Sequence, residues 1–297
     1  NGPLLSAPMT VGLPPVPLPG ERPLTLAGRG RLQLRELEGP PGAPTVLLLH
    51  GWTVTADLNW FAAYAPLAEH FRVLAIDHRG HGRGIRSRRP FRLEDCADDA
   101  AAVAAEVGVD RLVPVGYSMG GPVAQLMWRR HPGLVAGMVL CATAASFDSP
   151  DLRSRLWFSS LLGLSVASRL TPMPVRRQLA GNLIRRRLQD GELAEWGAAE
   201  MEQNDHTALL EAGWALGRFR SQGWLGRVDV PTAVVVTALD QVVSPRRQHD
   251  LAAAIPGAAT FEVDGDHGAC VTDAARFTPT LVAACRGVAV RAGLAAP

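Results

Sequence analysis

The 297-residue chain contains no lysine; all thirty of its basic side chains are arginine, set against twenty-eight acids for a formal net charge of +2. So small an excess leaves no electrostatic footprint for nucleic acid. Alongside abundant Ala, Gly and Pro, the missing lysine reads as the codon choice of a GC-rich genome. Cysteine is scarce too. Cys96, Cys141, Cys270 and Cys285 are widely spaced and never form a CxxC pair. That pattern argues against a disulfide scaffold and a zinc site, and four reduced thiols are expected. No metal and no cofactor is expected. No apolar run approaches the roughly 20 residues of a membrane-spanning helix. A charged stretch followed by an apolar one is absent from the N-terminal segment, so no signal peptide is expected. The expectation is a cytoplasmic protein without a membrane span, monomeric or homodimeric.

What is present suffices for a large core: 47% of residues are hydrophobic and 20% charged, as in ordinary globular proteins. Residues 1–23 hold seven prolines, which deny the segment a helix and a full hydrogen-bond ladder, so an extended arm is expected. Leu24–Ala27 and Leu32–Leu37 flank Gly28-Arg29-Gly30 and predict a hairpin. From Thr45 onwards short, uninterrupted apolar runs recur at Val46–Leu49, Val73–Ile76, Leu112–Val115, Val135–Leu140 and Thr232–Val236. Each is the signature of a strand buried on both faces. Helical patterns separate them at Leu58–His70, Leu93–Val107, Met119–His131 and Arg246–Ile255, with a last strand at Thr260–Val263 and a closing helix at Ala274–Ala292. This alternation predicts an α/β protein with a mostly parallel sheet. Residues 146–227 break it with helical pattern alone. They read as a cap inserted after the sixth strand into a core of residues 24–145 and 228–297.

Gly116-Tyr117-Ser118-Met119-Gly120 matches G-x-S-x-G at the end of a predicted strand and the start of a predicted helix. A sharp turn there lifts the serine hydroxyl clear of the sheet, and small neighbours avoid clashes. The hydroxyl needs a base. His267, just beyond the last strand, is the candidate among eight histidines. Asp240, beyond the strand Thr232–Val236, is the candidate carboxylate to orient it. Asp264 and Asp266 compete by proximity in sequence, but Asp266 adjoins His267, and adjacent side chains point apart. The backbone N–H groups of Trp52 and Met119 are the candidate oxyanion donors. His50 reads as a buried imidazole that ties down the loop carrying Trp52.

With His50-Gly51-Trp52, Asp77-His78-Arg79-Gly80-His81-Gly82, Gly116–Gly121, Asp240 and His267 in that order, the chain resembles the α/β-hydrolase superfamily over roughly residues 24–292. The resemblance implies an eight-stranded, mostly parallel sheet with its second strand antiparallel, flanking helices, and a lid over the site. It also implies a structural role for Arg79 and the arginines through Arg92. Asp266 stands where family members often have glycine before the histidine. Serine at 118, where dehalogenases and epoxide hydrolases of the family carry aspartate, argues against both chemistries. The expected function is hydrolysis of small to medium carboxylic esters through an acyl-enzyme on Ser118. Tyr117, Trp157 and Trp214 are candidates to shape the substrate pocket, together with other cap aromatics. A thioesterase using Arg176-Arg177 and Arg185-Arg186-Arg187 is the alternative, as are haloperoxidase, lactonase or carbon–carbon hydrolase chemistry on the same triad. A non-catalytic ligand receptor ranks last.

Ser118→Ala is expected to abolish ester hydrolysis and labelling by a fluorophosphonate while leaving the fold intact; more than about a tenth of wild-type turnover would refute the assignment.

Overall fold

The computed structural model describes residues 17–147, 152–170 and 192–294. Eight strands form one sheet: β1 (Glu21–Leu26), β2 (Gly30–Leu37), β3 (Thr45–Leu49), β4 (Arg72–Ile76), β5 (Val113–Tyr117), β6 (Met138–Cys141), β7 (Thr232–Thr237) and β8 (Ala259–Val263). Their spatial order is β1-β2-β4-β3-β5-β6-β7-β8. β2 runs antiparallel to β1 and β4, and the other pairs are parallel. The fold is therefore the one that the apolar runs and the resemblance imply. β1 sits at the sheet edge, which is where Pro23, with no N–H to donate, is tolerated. Most of the expected proline-rich arm, residues 1–16, lies outside the described residues.

The helices are α1 (Ala56–Trp60), α2 (Tyr64–Ala68), α3 (Leu93–Glu106), α4 (Gly120–Arg130), α5 (Leu152–Leu170), α6 (Glu192–Glu202), α7 (His206–Arg218), α8 (Pro245–Ala254), α9 (Ala269–Thr272) and α10 (Ala274–Arg291). The single helix expected over 58–70 is two short ones. Pro66, in the first turn of α2, lacks the N–H that would donate to Ala62 O and its ring crowds that carbonyl, so a turn at 61–63 separates α1 from α2. Among the described residues no helix is long and apolar enough to cross a membrane.

Buried alternation along the central strands sends Leu47, Leu49, Leu74 and Ile76 to one face, against Val103 of α3, Val123 and Met127 of α4 and Leu251 of α8. Val46, Leu48, Val73, Val113 and Val115 go to the other, against Phe277, Leu281 and Val288 of α10. Covering both faces of the central strands removes large apolar area from water at roughly 25 cal/mol per Å², and Ser118 lies beyond the end of one of them.

Between β6 and β7 the chain leaves the sheet and returns at one point. Ser146 pairs with Arg220 in an isolated antiparallel bridge, and the Ser221 amide donates to Ala145 O at 2.9 Å. Within this excursion Phe158 and Leu161 of α5 lie over Gly217 and Gly213 of α7. Polar groups fasten α6 to the core. Glu200 accepts from Thr55 Oγ1 at 2.6 Å and from Arg83 at 3.0 Å, and Arg83 also reaches Asp57 at 2.5 Å. Arg79 is fixed by two 2.8 Å hydrogen bonds to Asp99, the bracing role expected of it.

The strand-to-helix junction after β5 has no spare volume. A Cβ at Gly120 would stand 2.0 Å from Leu49 O, and one at Gly116 would stand 2.3 Å from Gly120 O. Both obstacles are backbone and cannot rotate away. Gly120→Ala is therefore expected to cost at least about 2 kcal/mol of stability, since overpacking costs 1–3 kcal/mol even where side chains can yield; thermal unfolding of the variant checks it.

Candidate active site

β5 ends at Tyr117 and α4 begins at Gly120, so Ser118 occupies the turn between them with φ +51°. That left-handed conformation is costly for a residue with a side chain. It is held by the Ser118 amide donating to Cys141 O at 2.9 Å and by Thr143 Oγ1 donating to Ser118 O at 2.8 Å. The Met119 amide lies at the N-terminal end of α4, where the helix dipole favours negative charge.

The three residues chosen from the sequence come together. Ser118 Oγ lies 3.0 Å from His267 Nε2, and His267 Nδ1 lies 2.7 Å from Asp240 Oδ2. With Nδ1–H donating to the carboxylate, Nε2 is left to accept from the serine hydroxyl. Asp240 is buried, and all its oxygen capacity is used. Oδ1 accepts from the amides of Val242 and Val243 at 2.8 Å each. Oδ2 accepts from Thr237 Oγ1 at 2.8 Å and Gln248 Nε2 at 3.2 Å as well as from His267. Burial pushes the carboxyl up, but the hydrogen bonds and the charge of His267 outweigh it and hold Asp240 below the usual carboxylate range. Asp266 is exposed and instead accepts from the Gly268 amide at 2.8 Å; Asp264 is exposed too.

The loop carrying Trp52 is tied from below. His78 N–H donates to His50 Nε2 at 2.8 Å, which leaves the proton on Nδ1, and Nδ1–H donates to Gly51 O at 2.7 Å. In a trans peptide the Trp52 N–H points opposite to that carbonyl, so His50 sets the direction of the amide. Burial and the neighbouring imidazoles of His78 and His81 hold His50 well below its ordinary pKa. Burial takes His78 down to about 3 and His81 to about 4. The cluster is neutral and structural.

A small cavity of about 110 Å³ opens on Ser118 and His267, lined also by Gly51, Trp52, Val54, Asn59, Tyr117, Gly268, Cys270 and Val271. Tyr117 is in its wall, with its hydroxyl donating to His267 O at 2.8 Å. Trp214, expected in the wall, is not among the described lining residues; its ring stacks with the Arg218 guanidinium 5.0 Å away. The Trp157 side chain and the arginines at 176–177 and 185–187 lie outside the described residues. Other insertion aromatics serve packing: Trp196 meets Phe61 edge-on at 5.4 Å, and Trp224 stacks on Trp128 at 5.9 Å.

Two supporting residues escaped the sequence reading. Asn59 accepts from the Gly51 amide at 2.9 Å and approaches Cys270 Sγ at 3.4 Å with its Nδ2. Gln248, fully buried, accepts from the Thr237 amide and donates to Thr237, Asp240 and Val243. Each is an amide side chain set in the apolar stripe of a helix, and that misfit is the signal that marks them. The cavity-lining Cys270 thiol is pushed up by burial to about 12, so it is not a competing nucleophile.

The model of the alpha/beta hydrolase fold family matches residues 44–274, and the chain belongs to that family. It is 40% identical over 95 residues to a bifunctional esterase/perhydrolase of Acinetobacter calcoaceticus, a stretch covering 32% of this chain and 34% of that one. With a pimeloyl-[acyl-carrier protein] methyl ester esterase of Sodalis glossinidius it shares 34% over 116 residues, 38% of this chain and 43% of the other. Both matches span less than half the length of the relative. A solved thermophilic esterase from Thermogutta terrifontis shares the fold, with a TM-score of 0.75 at 23% identity over 91% of this chain and 99% of that one.

Asp240→Asn is expected to lower kcat by about four powers of ten, as when a triad histidine loses its anionic partner and takes the wrong tautomer. Asp266→Asn is expected to leave kcat within about threefold of wild type, because a rim carboxylate facing water contributes little. Parallel kinetics of the two variants decide between the carboxylates.

Proposed function

We propose that the chain hydrolyses small carboxylic esters through an acyl-enzyme on Ser118. The observation that carries this reading is the unbroken hydrogen-bonded line from Ser118 through His267 to Asp240 at the mouth of a cavity. His267 Nε2 takes the hydroxyl proton as Ser118 Oγ bonds to the ester carbon. The carbonyl π electrons move to its oxygen, which the amides of Trp52 and Met119 receive. Collapse of this intermediate breaks the bond to the alcohol oxygen, and the imidazolium returns its proton to that oxygen. Water, deprotonated by the same histidine, then attacks the acyl-enzyme; carboxylate and free Ser118 result. Asp240 stabilises the imidazolium in both halves without changing its own protonation.

No step draws on a cofactor, and every participating group comes from one chain, so a monomer suffices. The insertion is read as a lid that dries the site. Four free, buried thiols suit a reducing compartment such as the cytoplasm.

Cavity size narrows the substrate class. About 110 Å³ is far below the roughly 300–1,000 Å³ of pockets for drug-sized ligands, and the walls at Trp52, Val54 and Val271 are apolar. Acetyl to butyryl nitrophenyl esters are therefore expected to give kcat/KM at least about tenfold above the decanoyl ester, since each misfit methylene is worth 1–3 kcal/mol. Equal or better turnover of the long ester would refute the size argument, and absence of turnover on every member of the series would refute the esterase reading.

A further inference from the structure

The loop that carries Trp52 is strained where it meets the helical insertion. Thr53 has φ +71°, a left-handed conformation that a β-branched residue adopts only when its surroundings impose it. Asn204, which follows α6, is buried and has both ends of its amide engaged. Nδ2 donates to Thr53 O at 2.8 Å, and Oδ1 accepts from the Gly82 amide at 2.7 Å. Gly82 is itself left-handed, at φ +39°. One side chain thus clips the strained turn at Thr53 to the turn at Gly82. A second tie comes from the insertion: Trp52 Nε1 donates to Leu209 O in α7 at 2.8 Å. On the core side, His50 and Asn59 hold the carbonyl and amide of Gly51. The Trp52 amide lies between these two sets of anchors.

We propose that Asn204 is a positioning residue that holds the Trp52 oxyanion donor in place from the insertion, by locking Thr53 in its left-handed conformation. This rests on the reading of Ser118 as nucleophile and Trp52 as donor. Without the clip, Thr53 is free to relax towards extended backbone and carry the loop with it. The Gly51 side stays fastened, so the error appears in how the transition state is held rather than in how the ester binds.

Asn204→Asp isolates the contact, because a carboxylate still accepts from the Gly82 amide but repels the Thr53 carbonyl. On p-nitrophenyl acetate the expected result is kcat reduced at least about tenfold with KM within about twofold; removal of an oxyanion donor outright costs 10²–10³. The rate of fluorophosphonate labelling at Ser118 should fall in parallel, since the phosphonyl oxygen uses the same donors. Gln203→Ala, one residue away and exposed, should change neither. Thr53→Gly added to the Asn204→Asp variant should regain at least about threefold in kcat, because glycine takes this conformation without strain. Should Asn204→Asp not fold, Asn204→Ala carries the same expectations. A folded Asn204 variant with kcat and labelling rate within about twofold of wild type, or one altered in KM alone, overturns the proposal. Wild-type protein that is not labelled at Ser118 overturns the reading of the site, and this inference with it; labelled wild type beside an unaffected Asn204 variant overturns only the role of Asn204.

Discussion

The structure is organised around one backbone torsion. Ser118 must sit at φ +51° between a strand and a helix, because only there does its hydroxyl stand free of the sheet while its amide and carbonyl remain hydrogen-bonded. Nothing in the serine itself favours that conformation; the surrounding packing imposes it. β3 must run close enough that Leu49 O nearly touches Gly120, which bars a side chain there. The register of β3, β5 and β6 aligns Leu49, Gly116 and Leu140 across the sheet, so those three strands end at the same level. The parallel sheet thus has a mechanical task as well as a hydrophobic one.

Around this centre lie two polar systems with different electrostatics. The histidine cluster under the Trp52 loop is neutral, because burial outweighs every other influence on it. Beside it Asp57, Asp77, Arg35, Arg83 and Glu200 keep opposite charges in contact. Burial raises Asp77 to about 6 in spite of Arg83 and the amides of Ala56 and Arg83. Removal of one member would strand a charge in the interior, which is far more damaging than never having had the pair. Because Glu200 belongs to the insertion, this network makes the insertion's seat on the core electrostatic as well as apolar.

The fold and the three aligned residues were legible because each leaves a local mark: uninterrupted apolar runs for strands buried on both faces, and a turn motif at their junction for Ser118. His267 and Asp240 followed from position alone, since each comes just after a predicted strand. What escaped depends on contacts remote in sequence. Asn204 meets Thr53 across 151 positions, and no window of sequence contains both. Gln248 sits in a stripe otherwise apolar, a local sign with no indication of its partner. The partners of the described insertion aromatics were hidden for a related reason. Composition reveals that tryptophans must be buried but not against what, and Trp196, Trp214 and Trp224 found ring and guanidinium partners of their own.

The insertion leaves and rejoins the sheet through adjacent residues, Ala145–Ser146 and Arg220–Ser221. Its two ends are therefore closed by the core, whatever lies between them. The entropy of closing a longer or shorter excursion grows only logarithmically with its length, so the length between the two ends can change at little cost to the sheet that carries Ser118. Such a closure tolerates a change of length between its ends, constrained chiefly by the few polar groups, Glu200 and Asn204 among them, that must still find their partners on the core. Divergence in this lineage should thus be modular, fast between the two ends and slow on either side of them.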